Sequence, residues 1–120
     1  MPFEDLRQHL LDMRDSILLI EQFVFGMNRA DYVRDLKTQS AVERKMLVIS
    51  EAAVRLGDKV EYLYPAVPWR DIRGIGNWLR HAYDRVDADV MWDTIQADLP
   101  RLKETINQAL GPDNTADPSH

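Results

Sequence analysis

The apolar residues of this chain recur at steps of three and four along most of its length. That spacing places them on one face of an α-helix, because the helix completes a turn in about 3.6 residues. No segment shows the alternation of apolar and polar residues that a half-buried strand requires. The pattern therefore predicts an all-α protein.

The same spacing predicts four main helices and one short extra helix. The first main helix starts at Phe3 and ends before Gly26, and the short helix covers residues 31–36. The other main helices cover residues 40–56, 68–85 and 88–110. Thr38 or Ser40 is the expected N-cap of the second main helix, and residues 58–67 are expected to form a loop. Short connections favour an antiparallel bundle.

One glycine and one proline mark expected helix ends, and a second proline falls inside a predicted helix. Gly57 follows the second main helix at the place where a helix C-terminus favours glycine. Pro68 suits the first turn of the next helix, where its missing N–H leaves no hydrogen bond unmade. Pro100 falls inside the last helix and is expected to bend it.

The length of 120 residues allows one hydrophobic core, so we expect a single domain over residues 1–110. The run GPDNTADPSH, residues 111–120, contains turn formers and no large apolar residue, and is expected to be a disordered tail. Charged residues interrupt the first helix, which argues against a signal peptide or a membrane span. The absence of cysteine excludes disulfides and thiolate metal sites and fits a cytoplasmic protein.

The fourth predicted helical segment, residues 68–85, has two chemically different sides. Its expected core side carries Ile72, Ile75, Trp78, Leu79 and Ala82. The opposite side carries Arg70 and a set that we call the polar stripe, which comprises Arg73, Asn77, Arg80, His81 and Asp84. Within the stripe, the imidazole of His81 is the candidate acid–base group. The alternative is an ordinary solvated surface, with Arg80 and Asp84 as an exposed ion pair of small value.

Two glycines lie inside this helix, where each lowers helix stability by up to about 1 kcal/mol relative to alanine. Gly74 and Gly76 would let another group approach the backbone closely: a partner helix, a second copy of the chain or a phosphate. The alternative is a local break in the helix at these residues.

Other chemistries find little support in the chain. It has no glycine-rich phosphate loop, no paired histidines at metal-binding spacing and no nucleophile-elbow serine, so no metal or cofactor is expected. The net charge of −5 argues against a general nucleic-acid coat protein, so any nucleic-acid contact must be local.

We expect Trp69, Trp78 and Trp92 to be core or interface anchors. Glu43 and Glu51 share a helix face, and we assign them no role.

The segment WRDIRGIGNWLRHAYDRV, residues 69–86, resembles the signature helix of the HEPN superfamily in its HepT-like branch. The segments QSAVERKMLVISEAAVRL, YPAVPW and VMWDTIQADLPRLKETI are also similar to that branch in their order and spacing. The resemblance runs from the first helix to Leu110. It implies a HEPN-like bundle that forms a homodimer through its signature helices.

The resemblance also implies roles for single residues. Asn77 matches the polar position of the family motif, His81 its histidine, and Tyr83 the tyrosine that an antitoxin enzyme adenylylates (AMPylates) in similar pairs. The motif places an arginine immediately before the polar residue, where this chain has Gly76. Arg73 and Arg80 are the nearby arginines, and either can contact phosphate.

The resemblance implies the toxin of a type VII-like toxin–antitoxin pair, a metal-independent ribonuclease that cleaves RNA. A minimal nucleotidyltransferase would be the antitoxin that neutralises it. Two other functions stay open: an inactive HEPN module that docks a nucleotide or the nucleotidyltransferase, and a plain helical scaffold.

Overall fold

The computed structural model describes residues 3–81 and 86–111, with side chains from Leu6 onward. Six α-helices and one π-helical turn lie within these ranges, which contain no strand. The helices are α1 (Phe3–Phe23), α2 (Arg29–Arg34), α3 (Leu36–Leu63), α4 (Trp69–His81), α5 (Ala88–Asp93) and α6 (Leu99–Leu110), with the π turn at Thr94–Asp98. The predicted all-α antiparallel bundle is confirmed.

The long helices α1 and α3 pack along each other and form the centre of the bundle. Helix α4 packs on α3, α6 packs on α1, and the short α2 bridges α3 and α5. Their apolar faces meet in one cluster, whose fully buried members include Met13, Ile17, Ile20, Val42, Met46, Ile49, Leu102 and Ile106. These residues follow the three-and-four spacing of the sequence, which explains why the spacing identified the helices.

Helix α3 begins earlier than predicted because a different residue caps it. The carboxylate of Asp35 accepts hydrogen bonds from the Thr38 amide (2.9 Å) and the Thr38 hydroxyl (2.8 Å). These bonds hold the pKa of the Asp35 carboxyl below its usual value. The expected N-cap at Thr38 or Ser40 is therefore wrong, and the helix starts at Leu36.

The short helix before α3 is also shifted relative to its predicted range. Asn28 caps α2 by accepting a hydrogen bond from the Asp31 amide, and the Asp31 carboxylate accepts one from the Asn28 amide. This reciprocal cap starts the helix at Arg29 rather than at residue 31.

The C-terminal half of α3 departs furthest from prediction. Gly57 has φ +71° and ψ −164°, a conformation that favours glycine, but the chain kinks there and continues as a helix to Leu63. The predicted loop at residues 58–67 is wrong over its first six residues. Val60 lies after the kink and is 5% exposed, so burial of its side chain stabilises the helical turns that follow Gly57.

Pro100 follows a π turn within the last predicted helix. It lies in the first turn of α6, where its missing N–H breaks no bond. The π turn at Thr94–Asp98 joins α5 to α6, and the Leu99 amide donates to the Thr94 carbonyl. The predicted single fifth helix is therefore three consecutive elements.

Candidate functional site

Helix α4 turns a different side toward α3 than its apolar residues suggested. Its buried residues are Trp69, Ile72 and Gly76. Ile75, Trp78 and Leu79, which we predicted to face the core, are only partly buried, and the predicted Ala82 contact lies outside the described residues. The small residue Gly76 thus lies near the centre of the helix contact. Of the three tryptophans, Trp69 and Trp92 are buried as anchors, at 1% and 8% exposure.

The close contact at Gly76 is made by Ser50 of α3. The Gly76 amide donates to the Ser50 hydroxyl (2.9 Å), and that hydroxyl donates to the Arg73 carbonyl (2.9 Å). A Cβ atom at position 76 would lie 2.6 Å from Ser50 Oγ, too close for any real side chain. The neighbour that requires glycine is therefore a helix of the same chain.

The other glycine in α4 has open surroundings. Apart from its chain neighbours and the backbone of α4 itself, no atom of the described residues lies within 4 Å of the place that a Cβ of Gly74 would occupy, and the residue is exposed. The helix is continuous through both glycines, so the predicted alternative of a local break is wrong.

Arg73 does not lie free on the polar stripe. Its guanidinium donates to the Gly57 carbonyl (2.8 Å), the Ala53 carbonyl (3.3 Å) and the Glu61 carboxylate (2.7 Å), all on α3. Its side chain is 21% exposed. Three of its five N–H donors are thus used to fasten α4 to the kink in α3.

Arg80 lies beside the Gly76–Ser50 contact. Its Nη1 atom is 3.4 Å from the place that a Cβ of residue 76 would occupy, so the guanidinium reaches back one turn to the position where the family motif has its arginine. The residue is exposed and lines a recess of about 210 Å³ with residues of α3. It makes no hydrogen bond or ion pair with another residue in the described part of the chain.

Asn77 and His81 continue this surface outward from Arg80. Because each helical residue advances about 100° around the axis, the three side chains lie within an arc of about 100°, with Asn77 in the middle. Both residues are exposed, and neither side chain makes a hydrogen bond to any residue in ranges 3–81 and 86–111. An amide, a guanidinium and an imidazole are therefore adjacent, and no described residue occupies them.

Two residues of the predicted site lie outside the described residues. These are Tyr83, the predicted modification site, and Asp84, the predicted partner of Arg80. Their roles stay predictions.

Ser50 and Arg55 belong to this region and were not predicted from the sequence. Ser50 is 2% exposed. The only sequence signal that could have indicated it is a serine beside the apolar face of this helix, because a buried hydroxyl needs a hydrogen-bond partner. Arg55 is an exposed arginine among several on the chain, and only its place in the recess beside Arg80 distinguishes it.

The described residues contain no group of three or more His, Asp or Glu side chains placed to hold a metal ion. Nor does any described helix combine the length and apolar character needed to cross a membrane.

The chain is similar, over most of its length, to proteins named as probable or putative ribonucleases. The family model described as "Ribonuclease HepT-like" matches residues 13–109. A Thermococcus cleftensis protein named "Probable ribonuclease HepT" is 37% identical over 97 residues, which is 81% of this chain and 88% of that protein. A Methanocaldococcus jannaschii protein named as a "Putative RNase" is 30% identical over 120 residues, covering 97% of this chain and 99% of the relative.

A third relative, a "Putative RNase" of Caldanaerobacter subterraneus, is 30% identical over 103 residues, covering 86% of this chain and 89% of that protein. No solved structure gives a significant match. The family model spans more than half of the chain, and it includes α3, α4 and the free side chains described above. The chain therefore belongs to the ribonuclease HepT-like family of the HEPN superfamily.

Proposed function

We propose that this protein is a metal-independent endoribonuclease, the toxin of a toxin–antitoxin pair that acts in the cytoplasm. One observation carries the proposal: Arg80, Asn77 and His81 form a continuous, exposed set on α4 that has no hydrogen-bond or ionic partner among the described residues. The names of the relatives support RNA as the substrate.

Arg80 rather than Arg73 is the arginine that we assign to the reaction. Three of the five N–H donors of Arg73 bind α3, whereas the Arg80 guanidinium lies beside Gly76 and pairs with no described residue. A planar guanidinium with free N–H groups can bind two phosphate oxygens at once and stabilise the charge that develops on them. Arg80 therefore compensates for the glycine at position 76.

In the proposed reaction, His81 removes the proton from an RNA 2′-hydroxyl. The resulting oxygen forms a bond to the adjacent phosphorus, and Arg80 stabilises the pentacoordinate phosphate. The bond from phosphorus to the 5′-oxygen then breaks, which leaves a 2′,3′-cyclic phosphate. Asn77, between the other two side chains, orients the phosphate or the imidazole.

The leaving 5′-oxygen needs a proton, and one copy of α4 offers a single histidine. We assign that proton to His81 of a second copy in a homodimer formed through α4. Helix α4 packs on α3, and the open surroundings of Gly74 on its outer surface would allow close approach of another helix.

The test is cleavage of RNA in the presence of a metal chelator. We expect the wild-type protein to cleave, and His81→Ala to lower the rate at least about 100-fold through loss of the acid–base group. Arg80→Ala should lower it by about 100- to 1,000-fold. Arg101→Ala, which removes an exposed arginine from α6, is the matched control and should cleave like the wild type. Equal cleavage by wild type and His81→Ala would overturn the proposal.

We further propose that a nucleotidyltransferase antitoxin silences the enzyme by adenylylating Tyr83. Tyr83 is two residues after His81 and three after Arg80 in the sequence. A phosphate added to Tyr83 would therefore compete with the RNA phosphate for Arg80. Co-production with a minimal nucleotidyltransferase antitoxin should give an intact mass increased by one adenylyl group, and Tyr83→Phe should abolish the increase. An inactive complex without the adduct would contradict this mode of neutralisation.

Gly76 favours a second candidate function, an inactive module that binds a nucleotide or the nucleotidyltransferase. The motif arginine is missing there, and Ser50 fills the space next to the backbone. Absence of cleavage by the wild type, together with binding that Arg80→Ala weakens, would support this function over the enzyme.

A further inference from the structure

We propose that single-stranded RNA extends from the α4 site across α3, where Arg55 binds a backbone phosphate and Glu51 accepts a hydrogen bond from a 2′-hydroxyl. This inference rests on the proposed ribonuclease function, and it adds the path of the strand and the basis for choosing RNA over DNA.

The path is a groove made of two adjoining recesses. The first, of about 210 Å³, lies between α4 and α3 and is lined by Arg80, Glu51 and Arg55 among others. The second, of about 180 Å³, lies between α3 and α1 and includes His9 and Asp12. Glu51 and Arg55 line both recesses, so these two side chains lie where the recesses adjoin between α4 and α1.

The charged side chains of the first recess form no ion pair with any described residue. Glu51 and Arg55 are four residues apart on α3, a spacing at which opposite charges commonly form an ion pair, yet the described part of the chain shows none between them. Arg80 likewise has no ionic partner among the described residues. Other arginines do pair, as Arg29 does with Asp89 and Arg73 with Glu61. The first recess therefore presents two cations and one carboxylate to an external partner.

The charged groups of this recess suit an RNA backbone. Two arginines and a carboxylate line it, and together they can bind two phosphates and a ribose of one strand, because phosphates accept from guanidinium and the 2′-hydroxyl donates to a carboxylate. Along the axis of α3, Arg55 lies about 7.5 Å beyond Ser50, which contacts α4, at a rise of 1.5 Å per residue.

Glu51 makes the groove selective rather than merely basic. A carboxylate repels nearby phosphates, and a 2′-hydroxyl offsets that repulsion by donating a hydrogen bond to the carboxylate. DNA has no such hydroxyl and meets only the repulsion. The groove is therefore expected to prefer RNA even at positions remote from the cleaved bond.

The first experiment measures binding by fluorescence anisotropy of a labelled oligouridylate, in a His81→Ala background that keeps the RNA intact. Loss of one phosphate contact in Arg55→Ala should reduce the slope of log K against log salt by about 0.7, the value for single strands. Arg101→Ala is the matched control and should leave the slope unchanged. An unchanged slope for Arg55→Ala, or no RNA binding by the parent protein, would overturn the proposal.

The second experiment compares the oligouridylate with the oligodeoxyuridylate of equal length, which differ only in the 2′-hydroxyl. Glu51→Ala should reduce the preference for RNA by about tenfold, the effect of losing a hydrogen bond to a charged group, while DNA binds equally well or better. Glu104→Ala removes an exposed carboxylate of α6 and should leave the preference unchanged. Equal effects of Glu51→Ala on RNA and DNA would refute the role of Glu51.

Failure of this inference differs from failure of the proposed function. If only the groove is wrong, the wild type still cleaves RNA and depends on His81, while Arg55→Ala binds with the parental salt slope. If only the catalytic proposal is wrong, the wild type does not cleave, but Arg55→Ala and Glu51→Ala still change binding as described.

Discussion

At the scale of single residues, the two glycines of α4 have opposite surroundings within one helix turn. Gly76 is held against the Ser50 hydroxyl, whereas Gly74 faces open space. The same substitution should therefore have opposite effects at the two positions, although both glycines lower helix propensity equally.

We expect Gly76→Ala to lower the free energy of unfolding by about 1–3 kcal/mol, because the new methyl group must displace Ser50 or separate α4 from α3. Gly74→Ala should raise it by up to about 1 kcal/mol, the gain in helix propensity. Urea denaturation followed by circular dichroism measures both. Stabilisation by both substitutions would show that the contact at Gly76 is not as tight as the structure has it.

At the scale of helices, α4 is fastened to α3 by one side chain placed at the kink. A non-helical residue such as Gly57 interrupts the helix's own hydrogen-bond ladder, and Arg73 donates to carbonyls at and before it. The surface of α4 that carries Asn77, Arg80 and His81 is therefore oriented by an arginine that the sequence alone had placed in the site.

Arg73→Lys tests this anchoring role. Lysine keeps the charge but cannot direct several N–H groups to separate acceptors, so unfolding should become easier by about 1–3 kcal/mol. Most of the loss should come from the carbonyl contacts, because lysine keeps the positive charge for the partly buried pair with Glu61. Arg70→Lys, at an exposed position of α4, is the control and should leave the denaturation midpoint in place. Equal midpoints for Arg73→Lys and the wild type would contradict the anchoring role.

At the scale of the whole molecule, the proposed reaction needs two copies of α4, since one copy supplies a base without an acid. A mixed dimer of a wild-type chain with a His81→Ala chain lacks one of the two histidines. Its sites should therefore be impaired even though one chain is intact.

We expect equilibration of wild-type protein with an excess of His81→Ala protein to reduce cleavage per wild-type chain, with RNA in large excess over both. The same mixture assayed before subunits exchange is the control and should show full activity. Sedimentation should give a dimer for each protein alone. Undiminished activity after equilibration would show that one copy contains a complete site.

The sequence by itself determined that this chain is an all-α bundle, because burial of an apolar helix face imposes the three-and-four spacing directly on the residues. It was less informative about helix ends. The start of α3 at Leu36 depends on the Asp35 cap, and its continuation past Gly57 depends on burial of Val60, a tertiary contact that local propensity does not encode.

The location of the candidate site on α4 was also predictable, since an amide, a guanidinium and an imidazole recur there at helical spacing. Only the tertiary structure distinguished the two arginines. A helical wheel places Arg73 and Arg80 on the same side. In the structure, contacts with α3 occupy Arg73, whereas Arg80 lies beside Gly76 and pairs with no described residue. The same holds for Glu51 and Arg55, because a groove between helices exists only once the helices have packed.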